Sequence, residues 1–263
     1  LYLVPHGILN YLPFALLPLN ASDDQSVVME RFTLSYLPAA ATLVQQGGEA
    51  VESQSLLAMA PARSRLEHAL LEARSITEMY RHPAKLLSGN AATESAFKDQ
   101  AGAYGLLHLS THGYFNSANP LLSGLELEPD DENDGLLEVH EILRLSLDAR
   151  LVTLSACETG LGGGYFNQIP AGDEFVGLTR AFLLAGSRSV LATLWPVDDR
   201  STVDLMEGFY RRLEPSKGRH MQALALADVQ RELRKSEKYR HPFYWAAFIL
   251  VSQQDQVVHV AQN

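Results

Sequence analysis

RLVTLSACETG, residues 150–160, decides the fold. Its first half is an apolar run with no polar face, and its second half is a Thr-Gly turn. YGLLHLSTHG (104–113) has the same form, and SRSVLATLW (187–195) repeats the apolar part. Strands without in/out alternation are buried on both faces, as in a parallel sheet covered by helices on each side. The segments between them fit that plan. RLEHALLEARSITEMY (65–80) reads as a helix with Leu66, Leu70, Ile76 and Met79 on its buried face. EFVGLTRAFLLAG (174–186) reads as a helix closed by Gly186. Further helices are expected at 200–213 and 219–236, and one opening at Thr93 with Glu94 in its first turn. LYLVP (1–5), FTLSYLP (32–38), LLAMA (56–60), AKLLSG (84–89) and FYWAAFILVS (243–252) complete the strand-like runs, and ATLVQQGGEAVES (41–53) reads as a weak helix. Gly47-Gly48 marks the best internal boundary. It separates an N-terminal β/α subregion (1–48) from the main α/β region (49–263) within one continuous domain.

Composition narrows the partners. With 21 Lys and Arg against 31 Asp and Glu, the formal charge is −10. That disfavours nucleic acid and anionic membrane and suits a basic peptide or protein surface. No apolar run reaches about 18 residues and no signal peptide is evident, so no membrane span is expected. The chain starts at Leu1, inside a strand-like run, which reads as an excised piece. The one cysteine, Cys157, cannot form an internal disulfide, which points to a reducing, cytoplasmic compartment.

In open α/β sheets, chemistry gathers at the carboxyl ends of the strands. His112 and Cys157 end their strands in matching form, 157 − 112 = 45 residues apart, enough for a hairpin and a crossover helix. If those strands are neighbours, both side chains reach one crevice. A lone cysteine is more often packing than chemistry. Here the alternative is a nucleophile with a histidine partner that titrates in the range needed to protonate a leaving amine. The glycine after the histidine lets substrate approach, and the amides of Gly113 and Cys157 could hold an oxyanion.

STHG, SACETG and several other stretches together resemble the CHAT proteases, caspase-like domains associated with tetratricopeptide repeats in the caspase and separase clan of cysteine peptidases. The other stretches are VPHGILNYLPFALLP, LEHALLEARSI, LLSGNAAT, NPLLSGLEL, GDEFVGLTRAFLLAGSRSVLATLWPVDD and HPFYWAAFILV, covering nearly the whole chain. His6 departs from the pattern, which more often has Asp, but lies far in sequence from the catalytic motifs. The resemblance implies a caspase-like three-layer α/β/α sandwich with a mostly parallel central sheet and a small N-terminal β/α extension. It implies a cysteine endopeptidase needing no cofactor or metal, with His112 and Cys157 as the dyad, Gly113 and Cys157 as oxyanion donors, a protein substrate, and an upstream repeat or sensor region. The rival is a catalytically inactive interaction module on the same fold. Two acidic pairs, Asp173-Glu174 and Asp198-Asp199, are candidates for a pocket selecting Arg or Lys at P1. The plainer reading makes Asp173 a cap for the helix at 174–186, and Asp198 or Asp199 a cap for the helix opening at Ser201.

Other signals are weaker. Asp130, Glu132, Asp134, Gly135 and Glu141 approach a calcium-loop spacing, but position 3 is Glu and no helix precedes the loop, so a hairpin tip between SGLELE and LLEVHE is expected. His108, His112 and Cys157 could supply three zinc ligands, but a satisfied core position suits His108 better. The glycines at 160–164 fail the dinucleotide and phosphate-loop spacings, and Gly163 replaces the arginine of a phosphatase loop. They read as a mobile loop after Cys157 that covers the cleft.

Overall fold

A computed structural model describes residues 1–20, 23–43, 53–66, 68–116, 118–158, 173–213 and 218–253. The chain opens with β1 (Tyr2–Leu3), the hairpin β2 (Pro18–Asn20) and β3 (Asp23–Val27), the short helix α1 (Val28–Arg31) and β4 (Ser35–Tyr36). Then come β5 (Leu56–Ala60), α2 (Ala69–Met79), β6 (Ala84–Ser88), α3 (Glu94–Gln100) and β7 (Leu106–Tyr114). A second hairpin, β8 (Gly124–Glu126) with β9 (Leu136–Glu138), leads into α4 (Val139–Ile142) and β10 (Leu151–Glu158). The remainder is α5 (Asp173–Leu184), β11 (Ser189–Thr193), α6 (Asp199–Arg212), α7 (Gly218–Lys235) and β12 (Phe248–Ser252).

The central sheet runs β1-β4-β12-β11-β10-β7-β5-β6, with β8 and β9 joined to the far end of β7. Its pairings along this order are parallel except β11 with β12, which is antiparallel. β7 and β10 lie side by side at its centre. Leu107, Leu109, Val152 and Leu154 pack on one face against Phe97, Ile142 and Phe182 of α3, α4 and α5. Leu106, Leu151 and Leu191 pack on the other against Ile76, Leu205, Phe209 and Leu226 of α2, α6 and α7. The result is an α/β/α sandwich with a mostly parallel sheet, and the first 36 residues add β1 and β4 to that same sheet. No helix among the described residues is long and apolar enough to cross a membrane.

Two expectations needed correction and two held. The helix after β5 begins at Ala69, and its buried face is Ala69, Glu72, Ala73 and Ile76, while Leu70 is 40 % exposed. The stretch expected as a weak helix contributes a 3-10 turn at Ala40–Leu43, the rest lying outside the described residues. The Thr93 cap is formed, its side chain accepting from the Ala96 amide at 3.1 Å. The acidic stretch is the β8–β9 hairpin tip. There Asp130 accepts from the Ser95 and Glu132 amides and from Ser95 Oγ, and these bonds hold its carboxyl well below the usual range.

Gly186 closes α5 as read from the sequence. Its φ is +114°, the Ser187 amide donates to Phe182 O at 3.0 Å and its own amide to Leu183 O at 3.2 Å, a left-handed helix stop. A Cβ there would lie 2.0 Å from the Leu147 carbonyl. Gly186→Ala therefore combines backbone strain with a backbone clash and should cost at least ~2 kcal/mol. The thermal midpoint should fall by roughly 4–8 °C, read by calorimetry.

Candidate functional site

The strand register decides the site. β7 and β10 pair in parallel from Leu106↔Leu151 to Gly113↔Glu158, and this ladder sets Cys157 opposite His112. Paired positions in a parallel ladder fall on one face of a sheet, at its carboxyl edge here. His112 is half-buried, and its Nδ1 is buried with no hydrogen-bond partner among the described residues. Gly113 is held on both sides, paired with Glu158 of β10 and Leu125 of β8. Among the described residues, a Cβ on Gly113 would meet the Phe115 ring, at 3.5 Å, an ordinary contact. The Cys157 side chain and the loop expected to cover the cleft lie outside the described residues.

Below the strand tips, alternate residues carry polar groups on the α2/α6 side: His108 and Ser110 on β7, Thr153 and Ser155 on β10. They form one connected set. His108 is fully buried; its Nε2 lies 2.9 Å from Glu72 Oε1 and from Ser110 Oγ, and its Nδ1 lies 3.2 Å from the Tyr210 hydroxyl. Ser110 Oγ donates to Glu72 Oε1 at 3.0 Å, and Tyr210 shares a 3.0 Å bond with Thr153 Oγ1. Burial pushes the Tyr210 phenol well above its ordinary value, so it stays protonated and can donate to His108 Nδ1. With the His108 proton on Nε2, each donor in the chain is aimed toward Glu72. Both His108 nitrogens are therefore engaged within the core, and neither is turned toward a zinc site with His112 and Cys157. Among the described residues, no group of three or more His, Cys, Asp or Glu side chains could hold a metal.

A small cavity opens above this set, with polar lining from His68, Glu72, Ser110, Ser155, Asp199 and Thr202. Its volume is about 230 Å³ including the mouth. Most of that is the open mouth; the enclosed space beneath it is about 10 Å³, room for one water. Of the acidic candidates, Asp199 lies on this cavity. Asp198 is the N-cap of α6, its side chain accepting from the Ser201 amide at 2.9 Å. Asp173 and Glu174 open α5, and their side chains lie outside the described residues. His68, Glu72, Ser110 and Ser155 were missed from sequence. Their signals were an acid at a buried helical position and polar residues at period two inside apolar strands.

Burial pushes the Asp199 carboxyl above its ordinary range; His68 draws it back, Asp198 and Glu72 raise it further, and His112 lowers it. A raised acid binds its proton more tightly in the native state, so its ionisation opposes folding once pH exceeds the unfolded value of about 4. Asp199→Asn should accordingly raise the thermal midpoint at pH 7, on the order of 1 °C because the group is part-exposed. The gain should shrink as pH falls toward about 4, which midpoints across a pH series would read.

The CHAT domain model matches residues 1–253. Tetratricopeptide repeat protein 28 of Homo sapiens is 27 % identical over 238 residues, spanning 86 % of this chain and 9 % of that protein. The chain thus spans about a tenth of the length of that relative. Among solved structures, the Saccharomyces cerevisiae separase–securin complex superposes with a TM-score of 0.53 at 13 % identity, covering 84 % of this chain and 14 % of that one. The complex of Porphyromonas gingivalis RgpB pro- and mature domains gives 0.51 at 10 % identity, covering 84 % and 55 %. At such identities these likenesses speak to the fold, which is the caspase-like sandwich. With its sheet, its strand tips and nearly its whole length accounted for by that model, the chain belongs to the CHAT domain family.

Proposed function

We propose that this chain is a cysteine endopeptidase acting on a protein substrate through a Cys157–His112 dyad. The observation that carries the reading is the in-register pairing of these residues at the carboxyl ends of adjacent central strands. Cys157 sulfur attacks the scissile carbonyl carbon and its proton passes to His112. The resulting oxyanion is assigned to the amides of Gly113 and Cys157. His112 then gives its proton to the leaving amine as the C–N bond breaks. Water adds to the thioester, and the acid product leaves with the thiol restored. The P1 side chain enters the cavity beside the dyad, where Asp199 favours a basic residue, consistent with an acidic chain meeting a basic segment. A tetratricopeptide-repeat region elsewhere in the full protein is assigned the sensing role, supported by the name of the human relative.

Alkylation kinetics test the reading against that of an inactive interaction module. Iodoacetamide should modify Cys157 fast, with a pH profile that changes when His112 is replaced by alanine. Slow modification, indifferent to His112, would favour the inactive module.

A further inference from the structure

We propose that Glu72, held from below by His108 and Ser110, is the floor of the substrate pocket, and that with Asp199, His68 and Ser155 it makes a receptor for an arginine guanidinium in preference to a lysine ammonium. The proposal rests on the peptidase reading and adds to it a specificity-determining residue on α2.

The hydrogen-bond inventory of the cavity carries the inference. Glu72 is 3 % exposed and spends Oε1 on His108 and Ser110, while Oε2 has no partner among the described residues. Ser155 is 5 % exposed, and its hydroxyl likewise has no partner among the described residues. His68 Nδ1 is buried and unpartnered. The Asp199 carboxylate accepts no hydrogen bond from a described residue. The other hydroxyls are spent, Ser110 donating to Glu72 and Thr202 to Asp198 O. What remains facing the cavity is two carboxylates beside two groups that can accept, Ser155 and His68, with no Lys or Arg among its described lining residues.

Carboxylate oxygens without a described donor, converging on one small opening, point to a ligand rich in donors. A guanidinium has five N–H donors in a planar fork and no acceptor. An ammonium has three on a point, too few and too compact to reach a floor and a rim together. Glu72 also differs from an ordinary pocket acid because Ser110 and His108, the latter held in turn by Tyr210, fix its carboxylate from behind. Its position is set before substrate arrives, which lowers the ordering cost of binding.

The test uses wild-type protein and three peptides differing only at P1: arginine, lysine, and citrulline, the neutral isostere of arginine. Wild type should rank arginine over lysine over citrulline, with kcat/KM for arginine at least ~10-fold above citrulline. In Glu72→Gln the arginine-to-citrulline ratio should fall by about tenfold, and Glu72→Asp should recover part of it. A merely structural Glu72 would leave that ratio unmoved, and this result overturns the proposal. Lysine preferred to arginine, or no charge discrimination in wild type, also overturns it, without recourse to any variant. Wild type that cleaves none of the peptides and shows no His112-dependent alkylation removes the peptidase reading itself. Cleavage without discrimination removes only the assignment of Glu72.

Discussion

Cys157→Ala should abolish peptide hydrolysis while leaving the fold and its thermal midpoint nearly unchanged. Position 157 is the seventh residue of β10 and pairs with His112, so alanine there preserves every backbone ladder contact. The reaction loses the atom that forms the acyl-enzyme, and a fall of at least ~10⁴-fold in kcat is expected. His112→Ala should cost a similar amount, because an unassisted thiol neither attacks well nor protonates the departing amine. The double variant should be no worse than the worse single one, because in the proposed mechanism the two side chains act as a unit. Fluorogenic peptide hydrolysis reads the loss. Retained turnover in Cys157→Ala would end the covalent mechanism, and additive losses would separate the two residues. An inactive wild type with the same midpoint would leave the interaction module as the better account.

The pairing of positions 112 and 157 was legible in sequence for a geometric reason. HLSTHG and TLSACETG end alike, and in a parallel pair like positions come into register once the strands are neighbours, as they are. Burial on both faces made the central strands conspicuous, and Gly186 announced the end of α5 because only glycine suits its φ at low cost. Reading failed where the buried surface was made by something other than large apolar groups. In α2 Ile76 is buried as read, but Leu70 is exposed; the sheet takes Ala69 and Ala73 beside Ile76, with Glu72 among them. Small residues let the helix sit close to β5 and β6, and hydrophobicity alone ranks them below leucine. The direction of β12 was equally hidden. FILVS is a strand by composition, but its antiparallel pairing with β11 depends on which neighbour it meets in space. Two acidic pairs looked equivalent as pocket candidates until the start of α6 gave Asp198 its cap and set Asp199 on the cavity.

His108→Leu should be among the most destabilising single changes that leave the backbone undisturbed. It keeps a side chain of similar size in a fully buried site, but removes the Nε2 donor to Glu72 and the Nδ1 acceptor for Tyr210. Removing one partner from a buried ionisable pair typically costs ~3 kcal/mol or more, because the group left behind keeps its desolvation penalty. In a domain of this size that is a drop of roughly 6–12 °C in thermal midpoint. Glu72→Leu should cost less, since His108 keeps Ser110 and Tyr210 as partners. Combining the two removes the stranded carboxylate along with its donor, and well-packed apolar groups often replace such a pair at little cost. The double variant should therefore be more stable than His108→Leu alone, with a coupling of about 2 kcal/mol in a urea-unfolding cycle. Simple additivity would mean that the two residues do not stabilise one another. A double variant near wild-type stability would imply that the pair persists for something other than folding. The same protein should have lost its preference for arginine over citrulline, because the carboxylate at the pocket floor is gone. Stability and specificity would then separate in one molecule, assigning the buried pair to the pocket above it.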